Sequence, residues 1–226
     1  MKLKVCGMKY QENMSAVAAL QPDYLGFIFY EKSPRNFDGK IPKLPTEIKK
    51  TGVFVDEPLN QVVLKIAKYG LKAIQLHGNE SPEYCKALKE VELSLPIVEN
   101  GIEVGFEPYN FEVWKVFSIK DQFDFEILQP YEGIVEYFLF DTKGKEKGGN
   151  GYTFDWSVLN NYPSKTPFIL SGGIGLDEVE KVKEILKTDL PIYAIDVNSK
   201  FETAPGLKNI EELKIFKEEL NRMREG

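Results

Sequence analysis

FILSGGIGLDEVEKVKEILK, residues 168–187, is the stretch from which the fold can be read. It opens with three apolar residues and no polar alternation, the pattern of a strand covered on both faces. Gly172 and Gly173 then mark a turn. From 177 to 187, Val179, Val182 and the Ile185-Leu186 pair recur at helical spacing, with acid leading and lysine closing, as the helix dipole favours. Strand, glycine turn and amphipathic helix together make a βα unit, the building block of a parallel sheet.

The same alternation extends in both directions. Apolar runs at 3–6, 24–29, 52–55, 73–76, 113–117, 137–140 and 193–195 bring the number of candidate strands to eight. Helical patterns cover 59–69, 82–90 behind Ser81 as N-cap, and 209–223. Eight repeated βα units in one chain predict an α/β protein, a single (β/α)8 TIM barrel over residues 1–226. An open doubly wound sheet would use fewer strands at this length. Residues 93–110 break the pattern: they read as an irregular insertion, with a small hairpin as the alternative.

Composition narrows the function classes. The 226 residues are 42% hydrophobic and 28% charged, an ordinary balance for a packed domain. A net charge of −6, with lysines dispersed among acids, argues against nucleic acid as a partner. No window approaches the roughly 18 apolar residues of a membrane span, and the first residues lack the apolar stretch of a signal peptide. Two cysteines without a CxxC pattern and one histidine predict neither a disulfide framework nor a metal site, so the expected setting is the reducing cytoplasm. No nucleotide-binding glycine motif opens a helix, and no cofactor is expected.

In such a barrel the chemistry lies just past the strand ends. The first run ends in Cys6-Gly7; a thiol there is a candidate base or nucleophile, or a buried structural cysteine. Arg35, after Ser33-Pro34, is placed to clamp a carboxylate or is simply a loop arginine. Gln75 and His77 share one side of their strand, pointing into the barrel mouth or packed in its upper core. Asp141 ends an apolar run and is followed by TKGKEKGGNG, 142–151, a loop suited to act as a lid. Gly172 and Gly173 after one strand, and Asp196, Asn198 and Ser199 after the next, occupy the usual phosphate position of this fold.

Taken in order, Lys4-Val5-Cys6-Gly7, Gly26-Phe27-Ile28-Phe29, Ser33-Pro34-Arg35, Gly52-Val53-Phe54-Val55, Gln75-Leu76-His77-Gly78, Phe140-Asp141, Gly148-Gly149-Asn150-Gly151 with Phe154-Asp155-Trp156, Leu170-Ser171-Gly172-Gly173, and Asp196-Val197 with Pro205-Gly206-Leu207-Lys208 span nearly the whole chain. Each motif is weak alone; together they are specific. The chain resembles the phosphoribosylanthranilate isomerase family. That resemblance implies an Amadori rearrangement of N-(5′-phosphoribosyl)anthranilate in tryptophan biosynthesis. Cys6 would be the general base, Asp141 the general acid and Arg35 the holder of the anthranilate carboxylate. Gln75, His77 and Asp196 would line the substrate site. Gly172, Gly173, Asn198 and Ser199 would bind phosphate. The partner is then a small phosphoribosyl substrate, and the assembly a monomer or homodimer. Because phosphate opposes a thiolate, Cys6 is expected to face away from the phosphate end.

Three departures stand out. Asn198 and Lys200 replace residues of the family's usual Asp-Val-Ser-Ser-Gly, Asn150 stands where Ser or Thr is commoner, and 93–110 is longer than usual. The insertion precedes the fifth run and so should lie at the bottom of the barrel. Other phosphoribosyl barrels fit less well. A histidine-pathway isomerase would use two aspartates, and an indole-glycerol-phosphate synthase a Lys and Glu at strand ends. A non-catalytic phosphate-binding barrel would have no need of both Cys6 and Asp141.

Overall fold

The structure is a computed structural model that describes residues 1–99, 102–120, 122–142 and 155–222. In chain order its main elements are β1 (Lys2–Val5), α1 (Gln11–Ala19), β2 (Tyr24–Ile28), β3 (Lys49–Phe54), α2 (Leu59–Tyr69), β4 (Ala73–Leu76) and α3 (Pro82–Lys89). There follow β5 (Ser94–Glu99), β6 (Ile102–Pro108), β7 (Glu112–Ile119), β8 (Tyr137–Thr142), β9 (Phe168–Leu170), α4 (Val179–Leu186), β10 (Ile192–Val197), β11 (Glu202–Ala204), β12 (Leu207–Lys208) and α5 (Ile210–Arg222).

Eight of these strands close into a barrel in the ring order β1-β10-β9-β8-β7-β4-β3-β2, with every pair parallel. The eight apolar runs are its staves. Lys4 pairs with Asp196 between β1 and β10, and Ser118 with Asp141 between β7 and β8. Strand alternation sorts the side chains into two cores. Leu25 and Phe27 of β2, Phe138 and Phe140 of β8, and Ile195 and Val197 of β10 face the outer helices. Tyr24, Ala73, Trp114, Leu139 and Ile169 fill the barrel. Its lower end is closed by an aromatic and polar layer in which the Tyr24 hydroxyl donates to Glu112 at 3.1 Å and the Tyr137 and Tyr193 rings stack at 3.9 Å.

The helical layer is thinner than eight full βα units would make it. Between β2 and β3 the chain runs without a helix, because Pro34, Pro42 and Pro45 interrupt any helical run there. After β7 a 3-10 segment, Phe125–Tyr131, takes the helix position, and Trp156–Asn161 forms another after β8. α1, which lacks a strong apolar stripe, nonetheless packs Met14, Val17 and Ala18 into the outer core. Local chemistry fixes other boundaries. The Ser81 hydroxyl accepts from the Tyr84 N–H at 3.3 Å to start α3, and Gly70, at φ +61°, ends α2.

Residues 93–110 contain an antiparallel ribbon, β5 with β6, rather than an irregular coil. The Tyr109 ring at its foot lies 3.6 Å below the ammonium of Lys72, which precedes β4. The ribbon thus sits at the end of the barrel opposite the strand C-termini. No helix among the described residues is long and apolar enough to cross a membrane.

Candidate active site

At the C-terminal mouth, a cleft of about 700 Å³, counting the part open to solvent, is lined by all ten residues singled out in the sequence. Alternation explains the convergence. Lys4 and Cys6, Gln75 and His77, Leu139 and Asp141, Ile169 and Ser171, and Asp196 and Asn198 are each two apart, so each pair shares the inward side of its stave. Cys6 lies one residue beyond β1, whereas Asp141 and Asp196 are still within strands β8 and β10. The Lys- and Gly-rich stretch read as a lid lies, past Thr142, outside the described residues.

Cys6 and Asp141 stand three staves apart in a ring of eight, so they face each other across most of the mouth. The loops after β9 and β10 lie between them. The Cys6 N–H donates to the Val197 carbonyl at 2.9 Å, which places Cys6 beside the β10 loop. The β10 loop is one of the two expected to hold phosphate. Two cations offset the juxtaposition. Burial pushes the Cys6 thiol up, while the ammonium groups of Lys4 and Lys208 pull it down.

Lys4 has no exposed surface, and its ammonium donates to Asp196 Oδ1 at 2.9 Å. Burial pulls its pKa down, but Asp196 and Cys6 outweigh burial and hold it above the usual lysine value. The second Asp196 oxygen accepts from the Ser171 hydroxyl at 3.2 Å. Gly26 makes room for this arrangement: a Cβ there would lie 2.8 Å from Cys6 Sγ and 3.2 Å from Lys4 Cε.

Asp141 Oδ1 accepts from the Thr142 N–H at 2.9 Å, and its Oδ2 lies 3.4 Å from His77 Nε2. Gln75 Nε2 is 3.4 Å from the other ring nitrogen of His77. Gly172 and Gly173 both take positive φ, +89° and +68°. At Gly172 this lets the β9 loop press against β8, since a Cβ would lie 2.3 Å from Thr142 Oγ1 and 2.8 Å from Asp141 Oδ1.

On the other side of the mouth, Arg35 donates through Nε and Nη2 to Glu202, at 2.9 and 2.7 Å. Glu202 also accepts from Lys208 at 2.6 Å, and Lys208 donates to Asn198 Oδ1 at 2.7 Å. Ammonium is donor-only, so this bond fixes the Asn198 amide with Nδ2 as its free donor.

Lys4, Glu202 and Lys208 were not singled out for the site from sequence. Lys4 left a signal, a lysine on the inward side of an otherwise apolar run two residues before Cys6. Glu202 left none, because an acid in a polar loop is ordinary. Among the described residues, no group of three or more His, Cys, Asp or Glu side chains could hold a metal ion.

The family model for N-(5′-phosphoribosyl)anthranilate (PRA) isomerase matches residues 3–104 and 98–219. A curated N-(5′-phosphoribosyl)anthranilate isomerase of Parabacteroides distasonis is 41% identical over 96% of this chain and 91% of its own. The crystal structure of phosphoribosyl anthranilate isomerase from Thermotoga maritima superposes with a TM-score of 0.76 at 30% identity, covering 98% of this chain and 99% of that one. Another phosphoribosyl anthranilate isomerase structure is in complex with reduced 1-(o-carboxyphenylamino)-1-deoxyribulose 5-phosphate. It aligns at TM-score 0.74 and 26% identity over 98% of this chain and 99% of that one. With the barrel, its mouth and these matches agreeing from end to end, the chain belongs to the N-(5′-phosphoribosyl)anthranilate isomerase family.

Proposed function

We infer that this enzyme converts N-(5′-phosphoribosyl)anthranilate into 1-(o-carboxyphenylamino)-1-deoxyribulose 5-phosphate, the Amadori rearrangement of tryptophan biosynthesis. The observation that carries the residue roles is the pair Cys6 and Asp141, facing one cleft from staves three apart. The reaction needs one proton delivered and another removed. Asp141, entering protonated, gives its proton to the furanose oxygen as the bond from C1′ to that oxygen breaks. The anilino nitrogen lone pair then forms a Schiff base. Cys6, as thiolate, removes the C2′ proton to leave an enolamine, which takes a proton at C1′, releases the proton of its C2′ hydroxyl and so becomes the ketone.

The other residues bind and orient. Paired backbone N–H groups at Gly172 and Gly173, with Asn198 Nδ2 and the Ser199 hydroxyl, suit a phosphate dianion, because such donors are nearly fixed before it arrives. Arg35 takes the anthranilate carboxylate. His77, near Asp141 Oδ2, orients the acid, and Gln75 offers a buried amide to the ribose hydroxyls. Lys4 stabilises the Cys6 thiolate from below, and Asp196 keeps Lys4 in place.

The same reading makes residues 1–226 one catalytic domain and places it in the cytoplasm, where a working thiol stays reduced; both cysteines are free. Its partner is the small phosphorylated substrate, not nucleic acid, and the assembly is a monomer or homodimer. The direct test is loss of anthranilate-type substrate fluorescence on adding enzyme. No turnover by wild-type protein, or undiminished turnover by C6S or D141N, would remove the reading or that residue from it.

A further inference from the structure

We propose that Glu202 is a positioning residue for carboxylate recognition: it holds one edge of the Arg35 guanidinium so that the other edge meets the anthranilate carboxylate. The proposal rests on the reading that Arg35 binds that group.

Guanidinium has two edges that can each take a carboxylate through two N–H bonds. In Arg35 the Nε–Nη2 edge is taken: Nε lies 2.9 Å from both Glu202 oxygens and Nη2 lies 2.7 Å from Oε2. Among the described residues no hydrogen bond involves Nη1, so the Nη1–Nη2 edge remains for a ligand. The stem is constrained as well. Arg35 Cδ runs across Gly7 so closely that a Cβ there would lie 2.9 Å away. An arginine held along its stem and one edge loses little freedom when a ligand docks on the other.

A glutamate this near the substrate carboxylate would repel it, were its charge not balanced. Lys208 supplies the balance. Its side chain is fully buried, and Nζ gives its donors to Glu202 Oε1 at 2.6 Å, Asn198 Oδ1 at 2.7 Å and the Asn198 carbonyl at 3.3 Å. With three acceptors its three donors are used, so it has none left for a ligand. Burial pushes the Glu202 carboxyl up, but Arg35 and Lys208 outweigh that and keep it ionised. Two cations around one anion leave the Arg35–Glu202–Lys208 cluster with one net positive charge, enough to match one incoming carboxylate.

The test compares two ligands by calorimetric titration: reduced 1-(o-carboxyphenylamino)-1-deoxyribulose 5-phosphate and the same compound without its carboxyl group. Arg35→Met should weaken only the carboxylated ligand, by about tenfold or more. Glu202→Gln should weaken the carboxylated ligand by about tenfold, leave the carboxyl-free one nearly unchanged, and add little on the Arg35→Met background. Tighter binding of the carboxylated ligand to Glu202→Gln would mean that Glu202 sequesters Arg35, and the proposal would be wrong. Equal weakening of both ligands would reduce Glu202 to a structural role and also overturn it. If Arg35→Met affects neither ligand, the Arg35 assignment itself has failed; if the wild type binds neither, the substrate reading has failed. Should Glu202→Gln not fold, Glu202→Asp keeps the charge but shortens the reach, and the same selective loss for the carboxylated ligand is expected.

Discussion

The Lys4 ammonium sits inside the barrel, 2.9 Å from Asp196 Oδ1 and directly beneath Cys6, with no exposed surface of its own. Enclosing both charges is costly, and an apolar pair of similar volume would often be as stable. On the proposed mechanism, Lys4 and Asp196 make sense as chemistry rather than as packing, a cation kept beside the thiol proposed as the base.

Lys4→Met should expose that trade. It leaves Asp196 buried without its cation, a loss of about 3–5 kcal/mol by the usual cost of breaking such a pair. Lys4→Met combined with Asp196→Asn should recover much of the stability and none of the activity. Urea unfolding and steady-state rates on the same preparations check both halves. A double variant as unstable as the single would mean that the pair is not the source of the loss.

Removing either proton-transfer group should lower kcat by about 10²- to 10⁴-fold while leaving the fold intact. Cys6→Ser and Asp141→Asn are the variants, with circular dichroism as the control for folding. Near-wild-type kcat in one of them would exclude that residue from the mechanism.

The pH dependence of kcat/KM follows from Cys6. Burial raises its thiol above the ordinary value of 9.0, with Lys4 pulling the other way. The base is the deprotonated thiol and the acid the protonated Asp141, so activity should fall on the acid side, where thiolate is lost, and fall again once pH passes the thiol's value, where no further thiolate forms and the acid's proton is lost. A kcat/KM that keeps rising well past the thiol's value would contradict the pairing of a thiolate base with a protonated acid.

Gly172→Ala would put a Cβ 2.3 Å from Thr142 Oγ1, 2.5 Å from Thr142 N and 2.8 Å from Asp141 Oδ1, at a φ of +89°. Either the β9 loop or the Asp141 carboxyl has to move, and a shift on the order of 1 Å in a catalytic group costs about 10²-fold in rate. Gly39→Ala is the control, since its Cβ would meet only the Phe37 ring, at 3.3 and 3.7 Å. Equal rates for the two variants would show that the loop absorbs the added methyl without consequence.

The barrel was legible in the chain because its code is local. Doubly apolar runs such as 138–140 and 168–170 specify covered strands, and helical spacing at Val179, Val182 and Ile185 specifies what covers them. The strand-end residues could be found for the same reason: once a run is known to be a stave, Cys6, Asp141 and the Gly172-Gly173 pair fall at its open end. Helices were harder to read where no regular one forms, as in the proline-broken stretch before β3, and where α1 lacks a strong apolar stripe.

Partnership is what only tertiary structure decided. Lys4 meets Asp196 across 192 residues of sequence and Arg35 meets Glu202 across 167, because β1 closes the ring against β10. Ring closure also set Cys6 beside the β10 loop. No local pattern encodes such pairs: a buried lysine and a solvated one are the same letter, and their energies differ only once the barrel has excluded water from one of them.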